Sequence, residues 1–418
     1  MNNLKAKIAR VAKNKDARIV AGNFMWLSAL QVAGYVFPLI TMPYLARIIG
    51  VEGFGKIAFA SAIMVWIQTI ADWGFNLTAT RDVAQNRDDK QKVSEIFSNV
   101  LWARCLLMLL SFVVLVILIL LIPKFREESS VILVTFLMIP GHILFPDWFF
   151  QAIEKMKYTT ILNVVMKLFF TIMVLIFVKQ PEDYILQPLF TSLGYVFSGL
   201  IALYIILGKW GISIKRPQMK NILQTIKGST DVFINHLAPN LYNSLSVVLL
   251  GFFGGGVANG IYDGGNKFIS IVSNFINTIS RAFFPFLSRK PHQHGLFVKI
   301  TLPITILISV VLYVLAPWIV SVMLSPEFSE SVIVIRILAI SLVFNMISTA
   351  YGACYLIVQN RTKILRQLTL ICSLIGFAIS IPLVYYYTYI GVALTVTISR
   401  GLLGLTAYWA AKSNKTEL

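Results

Sequence analysis

Residues 106–122 read LLMLLSFVVLVILILLI, an apolar run with one hydroxyl group and no charge. A helix of about 20 such residues crosses the roughly 30 Å hydrocarbon core of a bilayer. Only helices and closed barrels satisfy their backbone polar groups in that core. Together with the residues before it, this run predicts one membrane-crossing helix over 98–122.

Similar runs fill the rest of the chain. Apolar residues make up 57% of the 418 residues and charged residues 13%, about half the charged share of a soluble domain. Folding in water would leave too much apolar surface uncovered, so we expect lipid to cover it. The predicted fold class is an all-α polytopic membrane protein with about twelve transmembrane helices. They are placed near residues 20–46, 56–77, 98–122, 131–151, 158–178, 184–207, 230–253, 261–287, 296–324, 331–358, 364–386 and 390–411.

Basic residues are distributed unevenly between the predicted loops. The net charge is +18, but the cations lie in short loops rather than in the continuous basic surface that binds nucleic acid, so no nucleic-acid partner is predicted. With the N-terminus inside, 25 of the 36 Lys and Arg residues fall in cytoplasmic segments and 5 in outer loops. Cytoplasmic loops are the ones enriched in cations, so both termini are predicted to be cytoplasmic. Residues 1–18 are interpreted as part of an uncleaved signal anchor.

Cysteine and histidine patterns indicate no cofactor chemistry. Cys105, Cys354 and Cys372 all lie in apolar runs without CxxC spacing, so packing is their expected role. The two histidines of the segment 291–294, PHQH, are expected to be solvated rather than metal ligands. No metal, cofactor or catalytic residue is predicted, and the chain is not expected to be an enzyme.

Two glycine segments indicate an internal repeat. Gly50-Val-Glu-Gly-Phe-Gly55 and Gly255-Gly-Val-Ala-Asn-Gly260 each carry glycines five apart at a predicted outer turn, and their offset of 205 residues is close to half the chain. Six spans on each side would form a parallel repeat. We therefore predict an N-terminal six-helix lobe (1–208), a basic cytoplasmic connecting loop (209–227) and a C-terminal six-helix lobe (228–418).

Polar residues in the predicted spans follow helical faces. In span eight, steps of three and four residues place five polar side chains on one face: Lys267, Ser270, Asn274, Thr278 and Arg281. Spans one, two and seven also carry polar side chains: Asn23, Gln31, Ser61, Gln68, Asp72, Asn76, His236, Asn240 and Asn243. Such residues face a partner helix or a water-filled cavity. We predict that the two lobes face each other across a cavity lined by spans one, two, seven and eight. Hydrogen bonding between packed helices is the alternative explanation for the amides and hydroxyls.

Charged residues within spans indicate the sign of the cargo. Lys167 and Arg400 lie nearest the middle of their spans, where a charge costs about 2.5–3.5 kcal/mol on insertion scales. Six cations inside spans face only two clear anions, Asp72 and Asp147, so an anionic cargo is predicted. Arg104 and Arg336 lie near span ends, where snorkelling could explain them. The candidate substrate-binding residues are Lys267, Arg281, Lys167, Arg400, Asn240, Asn243, Asn274 and Gln31. The candidate residues for proton or sodium coupling are Asp72 and Asp147.

Several stretches are similar to one known family. They are Gly22-Asn-Phe-Met-Trp-Leu27, Pro43-Tyr-Leu-Ala-Arg-Ile-Ile-Gly50, Gly53-Phe-Gly55, Asp72-Trp-Gly-Phe75, Thr80-Arg-Asp-Val-Ala84, Pro146-Asp-Trp-Phe-Phe-Gln151, Glu154-Lys-Met-Lys-Tyr158, Gly260-Ile-Tyr262 and Pro285-Phe-Leu-Ser288. These stretches resemble bacterial polysaccharide repeat-unit flippases, the Wzx or O-antigen transporter family. The resemblance extends along the whole chain and is strongest in the first 160 residues.

The resemblance implies a fold and a cargo. The family belongs to the multidrug/oligosaccharidyl-lipid/polysaccharide exporter superfamily, whose MATE-like fold has two six-helix lobes around a central cavity. Its members carry oligosaccharide repeat units on undecaprenyl diphosphate, of O-antigen or capsule type, from the inner to the outer leaflet of the bacterial inner membrane. Their cationic lumen matches the predicted role of Lys267 and Arg281. Membrane lipid and the polymerase and chain-length proteins of polysaccharide assembly are the implied partners.

Three other functions were weighed. A multidrug or cation exporter of the same fold would need acidic residues in its cavity, and the cationic excess argues against one. A membrane polymerase or glycosyltransferase acting on the same lipid-linked sugar would need an ordered outer loop with catalytic groups, and the predicted outer loops are short. A major-facilitator transporter would carry a glycine and Asp-Arg pattern that residues 80–92 lack.

Overall fold

In the computed structural model, the backbone of residues 15–413 is described, with side chains apart from 15–21, 24, 281, 282 and 285. Every regular element in residues 15–413 is a helix. The α-helices are α1 Lys15–Ile48, α2 Gly50–Asp72, α3 Phe75–Gln85, α4 Lys90–Leu121, α5 Pro123–Glu127, α6 Ser129–Phe136, α7 Met138–Leu144, α8 Asp147–Ala152, α9 Met156–Phe177, α10 Leu186–Tyr204, α11 Met219–Leu237, α12 Ser244–Phe253, α13 Gly255–Arg289, α14 His294–Met323, α15 Ser331–Ser348 and α16 Thr362–Lys412. Shorter 3-10 and π segments are Pro181–Ile185, Ile205–Lys209, Ala238–Leu241, Pro291–Gln293, Pro326–Phe328 and Thr349–Ile357.

The apolar helices confirm the all-helical membrane class. Within residues 15–413, nine helical runs are long and apolar enough to cross a membrane: Met25–Ile48, Gly50–Gln85, Lys90–Leu121, Ser129–Ala152, Met156–Phe177, Pro181–Lys209, Pro291–Met323, Ser331–Ile357 and Thr362–Lys412. The more polar α11 and α13 and the short, apolar α12 are not among them. The count of twelve and the cytoplasmic termini stay predictions, and residues 1–14 and 414–418 lie outside the described part of the chain.

The last run, α16, holds two apolar segments. Its 51 residues would extend about 75 Å as one straight helix, more than twice the hydrocarbon core. Thr388 breaks it with a positive φ of 47°. A side chain at Gly391 would overlap the carbonyl group of Leu383, so the chain folds back tightly at this point. The break falls between the predicted spans 364–386 and 390–411.

Two predicted spans are interrupted helices. Span 230–253 contains the end of α11, a 3-10 segment at Ala238–Leu241 and then α12. Pro239 lies in that segment and lacks the N–H that a continuous helix requires. Span 131–151 is divided between α6, α7 and α8. The basic segment predicted as a loop over 209–227 is non-helical only over 210–218, because α11 begins at Met219.

The residues group into two compact units, described separately below. Unit 1 holds the residues before Met42 together with Ile67–Lys179 and Ile185–Phe233. Unit 2 holds Met42–Trp66, Gln180–Tyr184 and the residues from Ile234 onward. The division into lobes 1–208 and 228–418, and a cavity shared by them, stay predictions.

The core of unit 1 includes α8. Trp148, Phe149 and Phe150, three consecutive residues, are all buried. Phe149 meets Phe97 of α4 edge-to-face with 5.4 Å between ring centroids, while Phe150 stacks on Tyr158 at 5.8 Å. Aromatic pairs in this geometry add to the free energy gained from burial. The aromatic run in the segment 146–151 therefore joins α8 to α4 and α9.

In unit 2, the two glycine segments contact each other. Gly50 and Gly255 begin α2 and α13 with positive φ angles of 65° and 72°, which glycine adopts without steric cost. A Cβ atom at Gly55 would overlap the carbonyl group of Gly256, and one at Gly260 would overlap the carbonyl oxygen of Val51. The two helices therefore touch backbone to backbone, as small residues permit in membranes.

We predict that Gly55→Leu lowers the free energy of unfolding by about 2 kcal/mol or more, because the added side chain has no space without helix separation. Gly34→Leu is the matched control, since a Cβ at Gly34 meets nothing within 4 Å. Thermal unfolding of the purified protein in detergent would compare the two. Equal melting temperatures for both variants would contradict the backbone contact.

Candidate functional site

The ten predicted site residues are divided between the two units. Unit 1 contains Gln31, Asp72, Asp147 and Lys167, and unit 2 contains Asn240, Asn243, Lys267, Asn274, Arg281 and Arg400. The side chain of Arg281 lies outside the described part, although its backbone is in α13.

Lys167 lies beside a cavity in unit 1 that apolar and polar side chains line together. The cavity has a volume of about 180 Å³ and is lined by Lys167 of α9 with residues of α1 and α10, which include Gln187, Thr191 and Tyr195. Lys167 is half-buried. In the described residues, no carboxylate lies within 4.0 Å of its ammonium group. A half-buried cation among amide and hydroxyl groups can bind an anion without first breaking an ion pair.

Gln31 makes a local contact on α1. Its Nε2 donates a hydrogen bond of 2.5 Å to the Tyr35 hydroxyl one turn later. Gln31 does not line the Lys167 cavity. The contact lies within one helix, and a role of Gln31 in substrate binding stays a prediction.

Arg400 is the second cation without a carboxylate. It lies half-buried on α16, and its Nη1 donates to the Ser341 hydroxyl of α15 at 3.0 Å. Within residues 15–413 its guanidinium group has no carboxylate within 4.0 Å. Tyr242 lies close enough to interact with both Arg400 and Asn243. The structure thus brings Arg400 and Asn243 to one neighbourhood, with Tyr262 also beside Arg400.

Lys267 differs because its charge is compensated. Its Nζ lies 2.8 Å from a carboxylate oxygen of Asp263, one turn earlier on α13. The same Nζ lies 3.8 Å from the ring centroid of Phe54, a cation–π distance. The Lys267 side chain is 41% exposed, and Asn274 is exposed on the same helix. The polar face of α13 is therefore open, but Lys267 is less available to an anion than Lys167.

A buried ionic cluster occupies unit 1. Arg104 of α4 is 1% exposed and forms an ion pair with Asp72 of α2. His142 of α7 places its Nε2 3.6 Å from the other carboxylate oxygen of Asp72 and 2.9 Å from Nε2 of Gln68. The prediction that Arg104 snorkels is wrong. Snorkelling relieves an uncompensated charge, whereas Asp72 supplies a counter-charge within the span.

The cluster leaves donor atoms without protein partners. Nε and Nη1 of Arg104 and Nδ1 of His142 are buried and have no hydrogen-bond partner in the described residues. Buried donors of this kind are usually satisfied by ordered water. Asp147 is outside the cluster and accepts a hydrogen bond of 2.8 Å from the Trp148 backbone N–H at the start of α8. Ion coupling by Asp72 and Asp147 stays a prediction.

The sequence analysis did not predict the ion pairs that Arg104 and Lys267 form. The spacing of Asp263 and Lys267, four residues apart on a helix, was a readable signal of an ion pair. The pairing of Asp72 with Arg104 joins residues of two helices, so periodicity could not reveal it. His142 carried no signal, because a single histidine within a span has no pattern.

The long apolar helices define a polytopic membrane protein. The fold agrees with solved structures: a multidrug resistance MATE family transporter of the MOP superfamily matches with a TM-score of 0.72 over 94% of this chain and 98% of its own, at 13% identity. The lipid II flippase MurJ matches with a TM-score of 0.67 over 90% of this chain and 87% of its own, at 15% identity. The chain belongs to the polysaccharide biosynthesis protein family, which matches residues 20–291.

Relatives of similar length agree with this assignment. The "Putative O-antigen transporter" of Escherichia coli strain K12 is 27% identical over 94% of this chain and 97% of its own. The protein of the same name from Shigella dysenteriae is 27% identical over 93% of this chain and 99% of its own. The resemblance found in the sequence is confirmed, and so is the prediction of a membrane protein of polysaccharide biosynthesis that is a transporter rather than an enzyme.

We predict that Arg104→Leu lowers the free energy of unfolding by about 3 kcal/mol, because the half-buried Asp72 then loses its guanidinium partner and keeps only the His142 ring beside it. The double variant Arg104→Leu with Asp72→Leu should regain most of that loss. Thermal unfolding in detergent measures both. Arg81→Leu is the control, since its ion pair with Asp82 is exposed and worth about 1 kcal/mol or less. A double variant as unstable as the single one would contradict the ion pair.

Proposed function

We propose that this protein is a flippase for undecaprenyl-diphosphate-linked oligosaccharide repeat units of O-antigen or capsule type. It would move them from the inner to the outer leaflet of the bacterial inner membrane. The observation that carries the proposal is near-complete coverage, 94% of this chain and 97% of the relative, in the match to a protein named an O-antigen transporter. Full-length similarity is consistent with a shared task rather than one shared domain.

The charges inside the units support an anionic cargo. A diphosphate group carries negative charge that hydrocarbon does not solvate, so cationic side chains must replace its water. Lys167 and Arg400 are the half-buried cations best suited to this role, because neither has a carboxylate partner in the described residues. We also assign substrate contacts to Lys267 and Arg281. For Lys267, a phosphate oxygen would have to compete with Asp263.

Amide side chains are proposed to bind the sugar. Asn240, Asn243, Asn274 and Gln31 each offer both donors and an acceptor, as sugar hydroxyl groups require. Asn274 is exposed on α13, whereas Asn243 already donates to the Pro239 carbonyl at 2.9 Å. On this view the amides orient the oligosaccharide and the cations hold the diphosphate.

The mechanism we propose is alternating access. Twelve spans with both termini in the cytoplasm would form two six-helix lobes that open to each side in turn. The 3-10 break at Pro239 is a place where the chain can bend. Outward transfer of an anion in an inside-negative membrane is favourable by about 2.3 kcal/mol per charge per 100 mV. Asp72 and Asp147 are the candidates for any coupling to protons or sodium, and the polymerase and chain-length proteins would act on the delivered product.

A multidrug or cation exporter is the rival function, favoured by the fold shared with the multidrug transporter. Such a cargo would require an acidic group without a cationic partner in a polar cavity. In the described residues, Asp72 is paired with Arg104 and Asp263 with Lys267. Asp147 has no cation within 4.0 Å in the described residues, but it does not line the cavity beside Lys167. The unpaired charge that lines that cavity is the cation Lys167, which favours the anionic cargo.

We predict that deletion of the gene causes lipid-linked oligosaccharide to accumulate in the inner leaflet. It would be extracted and quantified, and its inaccessibility to a lectin added to spheroplasts would report the leaflet. Return of the wild-type gene should relieve the accumulation. No accumulation in the deletion strain, or cargo fully accessible from outside, would contradict the flippase proposal.

We further predict that Lys167→Gln and Arg400→Gln each lower export by about tenfold, the effect of losing a charged hydrogen bond, while Lys167→Arg retains activity. Lys220→Gln is the matched control, because it removes an exposed cation of α11. Protein levels in the membrane would be measured in parallel. Normal export by the double variant Lys167→Gln with Arg400→Gln would contradict the cationic site while leaving the flippase proposal intact.

A further inference from the structure

A second cavity lies at one end of three apolar helices in unit 2. It has a volume of about 350 Å³, within the range of small-ligand pockets. The membrane-crossing runs Pro291–Met323, Ser331–Ile357 and Thr362–Lys412 all begin or end at this cavity. It therefore lies where the hydrocarbon core meets the polar headgroups. Its lining residues are Pro291, His292, His294, Gly295, Tyr351, Tyr355, Gln359, Tyr408, Ala411 and Lys412.

Aromatic side chains form a connected wall of the cavity. Tyr351 meets Tyr408 edge-to-face, with 4.9 Å between ring centroids. The His294 ring packs between Tyr351 at 5.2 Å and Tyr355 at 4.9 Å. Interfacial tyrosines usually anchor a helix individually, with the ring directed at headgroups. Here the three tyrosines and the histidine contact one another around a shared space, which a belt of independent anchors does not explain.

A π-helix supplies two of these tyrosines. Thr349–Ile357 is a nine-residue π segment that continues α15 and carries Tyr351 and Tyr355. Helices of this kind are rare and occur frequently at functional sites. Nε2 of the buried His294 lies 3.0 Å from the carbonyl oxygen of Ala350 in the same segment. The prediction that this histidine is solvated is therefore wrong, since it packs against the π segment.

The charge of the cavity is positive. Lys412 lines it, with Nζ 4.9 Å from the Tyr408 ring centroid. Among the described residues that line the cavity there is no Asp or Glu. Arg361 lies beside it and donates from Nη1 to the carbonyl oxygen of Ala410 at 3.3 Å. Because a lysine ammonium already lies against the aromatic wall, a cationic ligand would be repelled and an anionic one attracted.

We propose that this cavity binds the phosphate group of an anionic lipid in the leaflet that contacts the Lys412 end of α16. Lys412 would pair with the phosphate, and the hydroxyl groups of the tyrosines would donate hydrogen bonds to its oxygens. The acyl or isoprenoid chain would remain in the hydrocarbon beside the apolar helices. The site is independent of the cargo proposed above, because none of its lining residues is among those proposed to contact the cargo.

The test measures lipid binding by the full-length purified protein. Phosphatidylglycerol, undecaprenyl phosphate, phosphatidylethanolamine and inorganic phosphate would each be titrated into protein in neutral detergent, with bound lipid counted by native mass spectrometry. We expect Lys412→Gln to weaken phosphatidylglycerol binding about fivefold, the effect of one basic group at an anionic surface. Lys363→Gln is the matched control, since it removes an exposed cation at the start of α16 that does not line the cavity.

A second variant tests the cavity without changing charge. A Cβ at Gly295 meets nothing within 4 Å, so Gly295→Leu should fill the cavity, leave melting unchanged and weaken lipid binding at least as much as Lys412→Gln. Weaker lipid binding in both Lys412→Gln and Gly295→Leu, with unchanged binding in Lys363→Gln, would support the site. Weaker binding in both lysine variants but not in Gly295→Leu would indicate surface attraction only and overturn it. Equal binding by all variants would also overturn it.

Comparison of the titrated lipids identifies which kind of lipid supplies the phosphate group. Preference for phosphatidylglycerol over undecaprenyl phosphate would assign the site to bulk anionic lipid, and the reverse would assign it to isoprenoid phosphates. Either preference supports the site, provided that the Gly295→Leu variant no longer shows that preference. Binding of inorganic phosphate alone, or equal binding of phosphatidylethanolamine, would overturn the proposal of an anionic lipid ligand.

Discussion

Hydrocarbon offers no hydrogen bonds and little solvation for charge, and this constraint governs every polar group described above. Backbone groups meet it through helices, which form every regular element of residues 15–413. Each charged side chain within a span is accommodated individually, by an ion pair, by contact with an aromatic ring or by a position beside a cavity. The manner in which each cation meets the constraint therefore distinguishes structural charges from charges available to a cargo.

The cations of the spans fall into two groups on this basis. Arg104 pairs with Asp72 and is buried, and Lys267 pairs with Asp263 and contacts Phe54. Lys167 lies beside a cavity and Arg400 donates to a hydroxyl group, and neither has a carboxylate partner in the described residues. A count of cations and anions predicted the excess of positive charge. Assigning that excess to particular residues required the contacts.

Periodicity and length predicted the features that depend on one helix at a time. Examples are the apolar runs and the end of a span before Thr388, both of which follow from local composition and backbone geometry. The interruption of span 230–253 at Pro239 was not predicted. Contacts between helices were not predictable in this way. The ion pair of Arg104, the burial of His294 against the π segment and the two cavities depend on how residues distant in sequence meet. The pair of Lys267 with Asp263 is different, because its spacing on one helix was visible in the sequence.

The backbone contact between Gly55 and Gly260 also limits how the two halves of the chain can diverge. If the halves arose by duplication, most equivalent positions could change independently, each compensated by its own neighbours. At this crossing each glycine faces backbone atoms of the opposite helix, Gly55 those of Gly256 and Gly260 those of Val51. A larger residue on one helix therefore cannot be balanced by a smaller one opposite. Sequence drift is thereby restricted at both positions together, and residue 55 and residue 260 are expected to retain glycine as a pair.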